Sequence, residues 1–201
     1  MIPWVRITSF GDTVVMLPAA VAIAAWLIAG GACRMAVWWC LLFTFGLVLV
    51  AATKIAFVGW GISISGLDFT GISGHAMRAT AIFPVIFYLA LRKSPPLARI
   101  AGVLLGGMIG LLIGMSRIVL NTHSVSEVVA GCVLGSVITL GFIRISNRLP
   151  KPFLNPRIIA LSLLALLPTS YAEPAPTNQW INAVALYLSG HDTPYVRIRG
   201  N

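Results

Sequence analysis

Acidic side chains are scarce in this chain: five Asp and Glu among 201 residues, with charged residues of both signs making up only 9%. A soluble domain carries roughly a quarter charged residues, so this composition cannot cover a water-facing surface and points to lipid as the solvent. Cysteine is scarce too. Cys33, Cys40 and Cys132 are odd in number, and their spacing fits neither a zinc site nor a disulfide framework. All three are expected to be small buried hydrophobes. No internal repeat and no soluble domain stand out. The 14 Lys and Arg leave a net charge of +9, but they sit in short breaks between apolar runs rather than on a polar basic face. That pattern implies membrane topology and no nucleic-acid partner.

Apolar residues supply 58% of the chain, in runs at roughly 14–31, 36–58, 76–91, 100–115, 124–143 and 158–172. The expectation is an all-α, polytopic transmembrane bundle of five to six spans, 158–172 being the shortest run. The whole of 1–201 reads as a single integral-membrane domain. A C-terminal tail from about 173 to 201 is expected at the interface, with Trp180, Val184 and Tyr187 at helical spacing. Basic residues set the orientation. Arg92, Lys93 and Arg99 flank one break, and Arg144, Arg148, Lys151 and Arg157 flank another, so both should be cytoplasmic. The breaks at 59–74 and 116–123 then meet on the opposite face, and they hold most of the polar chemistry.

Three segments can carry that chemistry. In the third, Ser116-Arg117 is followed after five residues by His123 and after three more by Glu127. His123 and Glu127, four apart at a helix start, share one face. The carboxylate can hold one imidazole nitrogen and leave the other free to attack, while the planar fork of Arg117 can grip phosphate oxygens. Ser124-x-x-Glu127 is equally a capping box, and an Arg at a membrane boundary can simply snorkel. In the second segment, Gly71-Ile72-Ser73-Gly74-His75, Ser73 can cap the following helix, Gly74 admits close backbone approach, and the first-turn N–H groups suit an anion. His75 would stand beside that anion, able to protonate a departing oxygen. The first segment offers Lys54, near the end of a long apolar helix.

Taken in order, Lys54, Ser73-Gly74-His75 and Ser116-Arg117-x5-His123 resemble the type 2 phosphatidic acid phosphatase family, whose fold is shared with the vanadium haloperoxidases. The matched stretch runs from 54 to 127. The resemblance implies a metal-independent lipid phosphatase with no cofactor, acting through a phosphohistidine. His123 would be the nucleophile, Glu127 its orienting carboxylate, and His75 the general acid and then base. Lys54, Ser73, Gly74 and Arg117 would hold the phosphate oxygens. Substrates of this kind are phospholipid or polyprenyl phosphates: phosphatidic acid, phosphatidylglycerol phosphate, undecaprenyl diphosphate. The implied location is a bacterial inner membrane with the site on the periplasmic face.

The chain departs from the family pattern at four places. Gly61 stands where the first motif has Arg, Ile62 and Ile72 replace prolines, and Glu127 replaces Asp. Arg78, three residues after His75 on nearly the same helix face, is the candidate to restore the missing charge. Asp68 reads as a solvated carboxylate or a partner of Arg117 or Lys54. Two other functions compete. Gly71-x-Ser73-Gly74 also resembles the serine motif of rhomboid intramembrane proteases, which would make Ser73 the nucleophile and His123 its base. A lipid-binding or transport protein, catalytically weakened by the loss of the Arg, is the non-enzymatic reading.

Overall fold

The structure, a computed structural model, describes residues 2–171, 173 and 175–197; position 172 of the last apolar run and positions 174 and 198–201 of the expected tail lie outside it. Helices α1 (Ile2–Ser9), α2 (Thr13–Ala29), α3 (Cys33–Trp60), α4 (Gly74–Ala90), α5 (Pro96–Val119), α6 (Val125–Ser146), α7 (Pro156–Leu166) and α8 (Thr177–Ser189) follow one another. There is no named strand among the described residues. Four helical stretches, Pro3–Ala29, Cys33–Trp60, Pro96–Val119 and Val125–Ser146, are long and apolar enough to cross a membrane. The protein is an all-helical integral membrane bundle.

Helix α4 is the axis of the bundle. Its 17 residues reach about 25 Å, and Ala76, Met77, Ala79, Ala81, Ile82 and Val85 are wholly buried. Glycines bring its neighbours close. Cβ atoms built at Gly106 and Gly110 of α5 would lie 2.6 Å and 2.9 Å from backbone atoms of Pro84 and Thr80. At Gly131 of α6 a Cβ would meet the Ser73 carbonyl at 2.6 Å. Spacing of four along α5 and α6 puts these glycines on one stripe each, the small-residue packing that membranes favour where burial of apolar surface gives no driving force. Beside these stands a shorter apolar helix, α7, with its 3-10 extension, Leu167–Tyr171. It starts where Phe153 N–H donates to the Gly30 carbonyl at 3.0 Å, packs along α2, and reaches the far end, where Thr169 lines the cavity described below.

The two ends of the bundle differ in charge. Arg34, Arg92, Lys93, Arg99, Arg144, Arg148, Lys151 and Arg157 sit at the end formed by the 30–32, 91–95 and 147–155 connections, and no Asp or Glu falls there. The acidic residues belong to the opposite end. Cys33 and Cys40 are exposed and Cys132 half-buried, which corrects the expectation of three buried thiols. In a bilayer an apolar thiol meets acyl chains at no cost, so the outer surface admits it as readily as the core.

Candidate active site

At the acid-bearing end a cavity of about 900 Å3 opens among α2, α3, α4, α5 and α8, and Lys54, Gly74, His75, Arg78, Arg117 and His123 all line it. Residues from the three separate segments thus reach one space. Ser73 lies at the N-cap of α4, but its hydroxyl makes no capping bond; Oγ is buried and has no hydrogen-bond partner among the described residues. The capping role read from the sequence is therefore not the one Ser73 plays. Its own N–H donates to the Glu127 carbonyl at 3.1 Å, which fixes the start of α4 against α6.

Glu127 makes both contacts that its sequence allowed. It completes a capping box with Ser124 at the start of α6, with Ser124 N–H donating to Oε2 at 3.1 Å. The same Oε2 lies 2.6 Å from Nδ1 of His123. Oε1 accepts from Thr70 N–H at 2.9 Å, from the Thr70 hydroxyl at 2.6 Å, and from the Arg197 guanidinium. With its side chain only 1% exposed, the carboxylate cannot turn toward solvent. The proton on Nδ1 is held against it, so Nε2 carries the lone pair. Burial pushes the His123 pKa below its ordinary value, against the opposing pull of Glu127. Neutral imidazole is the form a nucleophile needs.

The N-terminal elbow between α1 and α2 is the part of this site that the sequence reading missed. Asp12 caps α2 by accepting from Val14 N–H at 3.2 Å, and its Oδ2 stands 3.6 Å from Nε2 of His75. The Gly11 carbonyl accepts from Arg78 Nη2 at 3.2 Å, and the Thr8 hydroxyl accepts from Arg117 Nη1 at 3.0 Å. Each arginine keeps a buried Nε with no partner. Arg78 therefore does project into the cavity beside Gly74, where a side chain at that position would crowd its Nη1 at 3.3 Å. Three cations share a space whose nearest carboxylate, Asp12, already faces His75. Such a cavity is built for an anion. Among the described residues, no group of three His, Cys, Asp or Glu is arranged to hold a metal ion.

Asp68 pairs with neither residue proposed for it. Its side chain is 65% exposed and meets Nε of Arg197 at 3.3 Å. Gly61, at the position of the absent Arg, closes α3 in the left-handed conformation with φ +68°, and a Cβ there would meet the Tyr195 ring at 2.9 Å. The tail occupies the room an Arg would need. Of the expected interfacial residues, Trp180 and Val184 line the cavity while Tyr187 points outward, 87% exposed.

A protein of Klebsiella pneumoniae described as an uncharacterized 22.5 kDa protein in the cps region is 33% identical over 199 residues, 96% of this chain and 95% of its own length. The sequence model of the PAP2 superfamily matches residues 60–151. The chain belongs to the PAP2 superfamily. Phosphatidylglycerophosphatase B of Bacillus subtilis is 36% identical over 70 residues, about a third of each chain. No solved structure matches. The PAP2 match covers the second and third segments but neither Lys54 nor the elbow at Thr8–Asp12, so the first half of this cavity rests on the fold rather than on the family pattern.

Proposed function

We propose that this protein is a lipid phosphatase that hydrolyses a phosphate or diphosphate ester at headgroup depth, by way of a phosphohistidine and without a metal. The observation that carries the reading is the 2.6 Å pair of His123 with buried Glu127, opening on the same cavity as Lys54, Arg78, Arg117 and His75. In this mechanism Nε2 of His123 attacks phosphorus as the ester oxygen departs on the far side. His75, held by Asp12 through Nε2, protonates that oxygen from its other nitrogen. Water then attacks the phosphohistidine, His75 takes the water's proton, and inorganic phosphate leaves with His123 restored. The three cations, the Ser73 hydroxyl and the first-turn amides of α4 stabilise the charge that builds on the equatorial oxygens. The apolar side chains of Val5, Leu17, Trp180 and Val184 at the cavity rim suit the lipid part of such a substrate.

The basic opposite end supports an orientation with that end cytoplasmic and this cavity on the other face, the periplasmic one if the membrane is a bacterial inner membrane. A serine-protease reading needs a base within reach of Ser73, whose buried Oγ has no hydrogen-bond partner among the described residues. The test is phosphate release from phosphatidic acid, phosphatidylglycerol phosphate and undecaprenyl diphosphate in detergent, beside His123→Ala. Release by the parent and none by the variant is expected. Equal release by both removes His123 from the reaction.

A further inference from the structure

We infer that Arg197, carried on the C-terminal strap, is a positioning residue for the His123–Glu127 pair, so that the site is complete only when the strap is docked. This rests on the phosphatase reading for its catalytic consequence, though not for its geometry. After α8 the chain folds back over the end of α3: His191 Nδ1 lies 2.8 Å from the Gly59 carbonyl, and Tyr195 N–H donates to the Val58 carbonyl at 3.0 Å. The Tyr195 ring lies against Gly61. Those contacts deliver Arg197 to the loop preceding α4, where Nη2 donates to the Asp68 carbonyl at 3.1 Å, the Thr70 hydroxyl at 2.9 Å and Oε1 of Glu127. Arg197 and His123 also line one smaller cleft together.

The physical need is plain. Glu127 is a buried carboxylate whose other partners, Thr70, Ser124 and neutral His123, bring no full charge. A buried carboxylate without a paired cation is strongly disfavoured, and the nearest remedy would be to protonate His123, which destroys the nucleophile. Arg197 supplies the cation from the opposite oxygen. Glu127 then stays ionised and oriented without demanding a proton from the imidazole. The other charges facing His123 are Lys54 on α3 and Arg117 on α5, both cationic, and Asp68 faces Arg197 itself. Losing Arg197 leaves Glu127 as the strongest unshielded influence on the ring. Gly61 belongs to the same arrangement, since a first-motif Arg would collide with the strap that carries Arg197.

The experiment compares the parent with Arg197→Gln and Arg197→Lys in detergent. One readout is independent of turnover: the rate at which diethyl pyrocarbonate modifies His123, followed across pH by peptide mass spectrometry, because only neutral imidazole reacts. Arg197→Gln should move the midpoint of that curve to higher pH and lower kcat on phosphatidylglycerol phosphate by about ten- to a hundredfold, with KM little changed. Arg197→Lys should recover part of both. An unmoved midpoint overturns the inference, even where kcat falls, since that would be a structural effect alone. A parent without activity on any lipid phosphate would sink the phosphatase reading, and the His123 midpoint would still decide the role of Arg197.

Discussion

Replacing Arg78 by Gln separates what this cavity does for chemistry from what it costs in stability. Arg78 is 8% exposed, donates one hydrogen bond to the Gly11 carbonyl at 3.2 Å, and keeps an unpartnered Nε. It shares the cavity with Lys54 and Arg117. In the empty site the third cation is a burden, because like charges are drawn together out of water. Gln keeps a donor for the Gly11 carbonyl but removes the charge. Exchanging a charged hydrogen bond for a neutral one costs about 1 kcal/mol, and relief from mutual repulsion and desolvation offsets it. The thermal midpoint should therefore hold or rise. Turnover should not. Loss of one donor that meets charge developing in the transition state costs about a hundredfold to a thousandfold in kcat. The assay is steady-state phosphate release from phosphatidylglycerol phosphate, paired with a melting curve in the same detergent. A kcat within twofold of the parent would refute the role of Arg78, and so would a loss matched by a fall in melting temperature.

Asp12→Asn should reduce kcat by at least tenfold, since the His75 ring loses the charge that holds its proton; unchanged kcat in a steady-state assay would separate the elbow from catalysis. The acid limb of kcat/KM for the parent should fall below pH ~6.5, the ordinary imidazole value, because burial lowers the His123 pKa and the rate rises as His123 loses its proton. A limb above pH 7 would contradict that order. Gly135→Ala should destabilise by about 1–3 kcal/mol, since the new Cβ would strike the Thr80 hydroxyl and the Met77 carbonyl. Gly107→Ala is the control: nothing lies within 4 Å of a Cβ there, so its melting temperature should hold or rise.

The bundle was legible because membrane burial leaves few choices: apolar runs become helices, and basic breaks gather at one end. The site was legible where its residues lie close in sequence. His123 and Glu127 are one helical turn apart, and Ser73, Gly74 and His75 adjoin one another. The elbow was not. Asp12 and Thr8 lie more than sixty residues from the groups they meet, and a lone acid before an apolar helix reads first as a cap, which Asp12 also is. Arg197 was hidden for the same reason, behind a tail that read only as interfacial. The glycine stripes of α5 and α6 were visible as a spacing of four, Gly102, Gly106, Gly110, Gly114 and Gly131, Gly135. Their meaning required knowing that α4 passes between them. The cysteines misled because burial rules learned in water do not hold for a surface that faces lipid.

Transfer of phosphorus to one imidazole is the central step of the proposed reaction. Acid-quenching a reaction with lipid labelled with 32P at the terminal phosphate, followed by peptide mapping at alkaline pH where phosphohistidine survives, measures that transfer directly. Label on the peptide containing His123, discharged by water and missing from His123→Ala, is the result expected. Phosphate release by the parent with no trapped label at His123, or with label at His75 or Ser73, would contradict it.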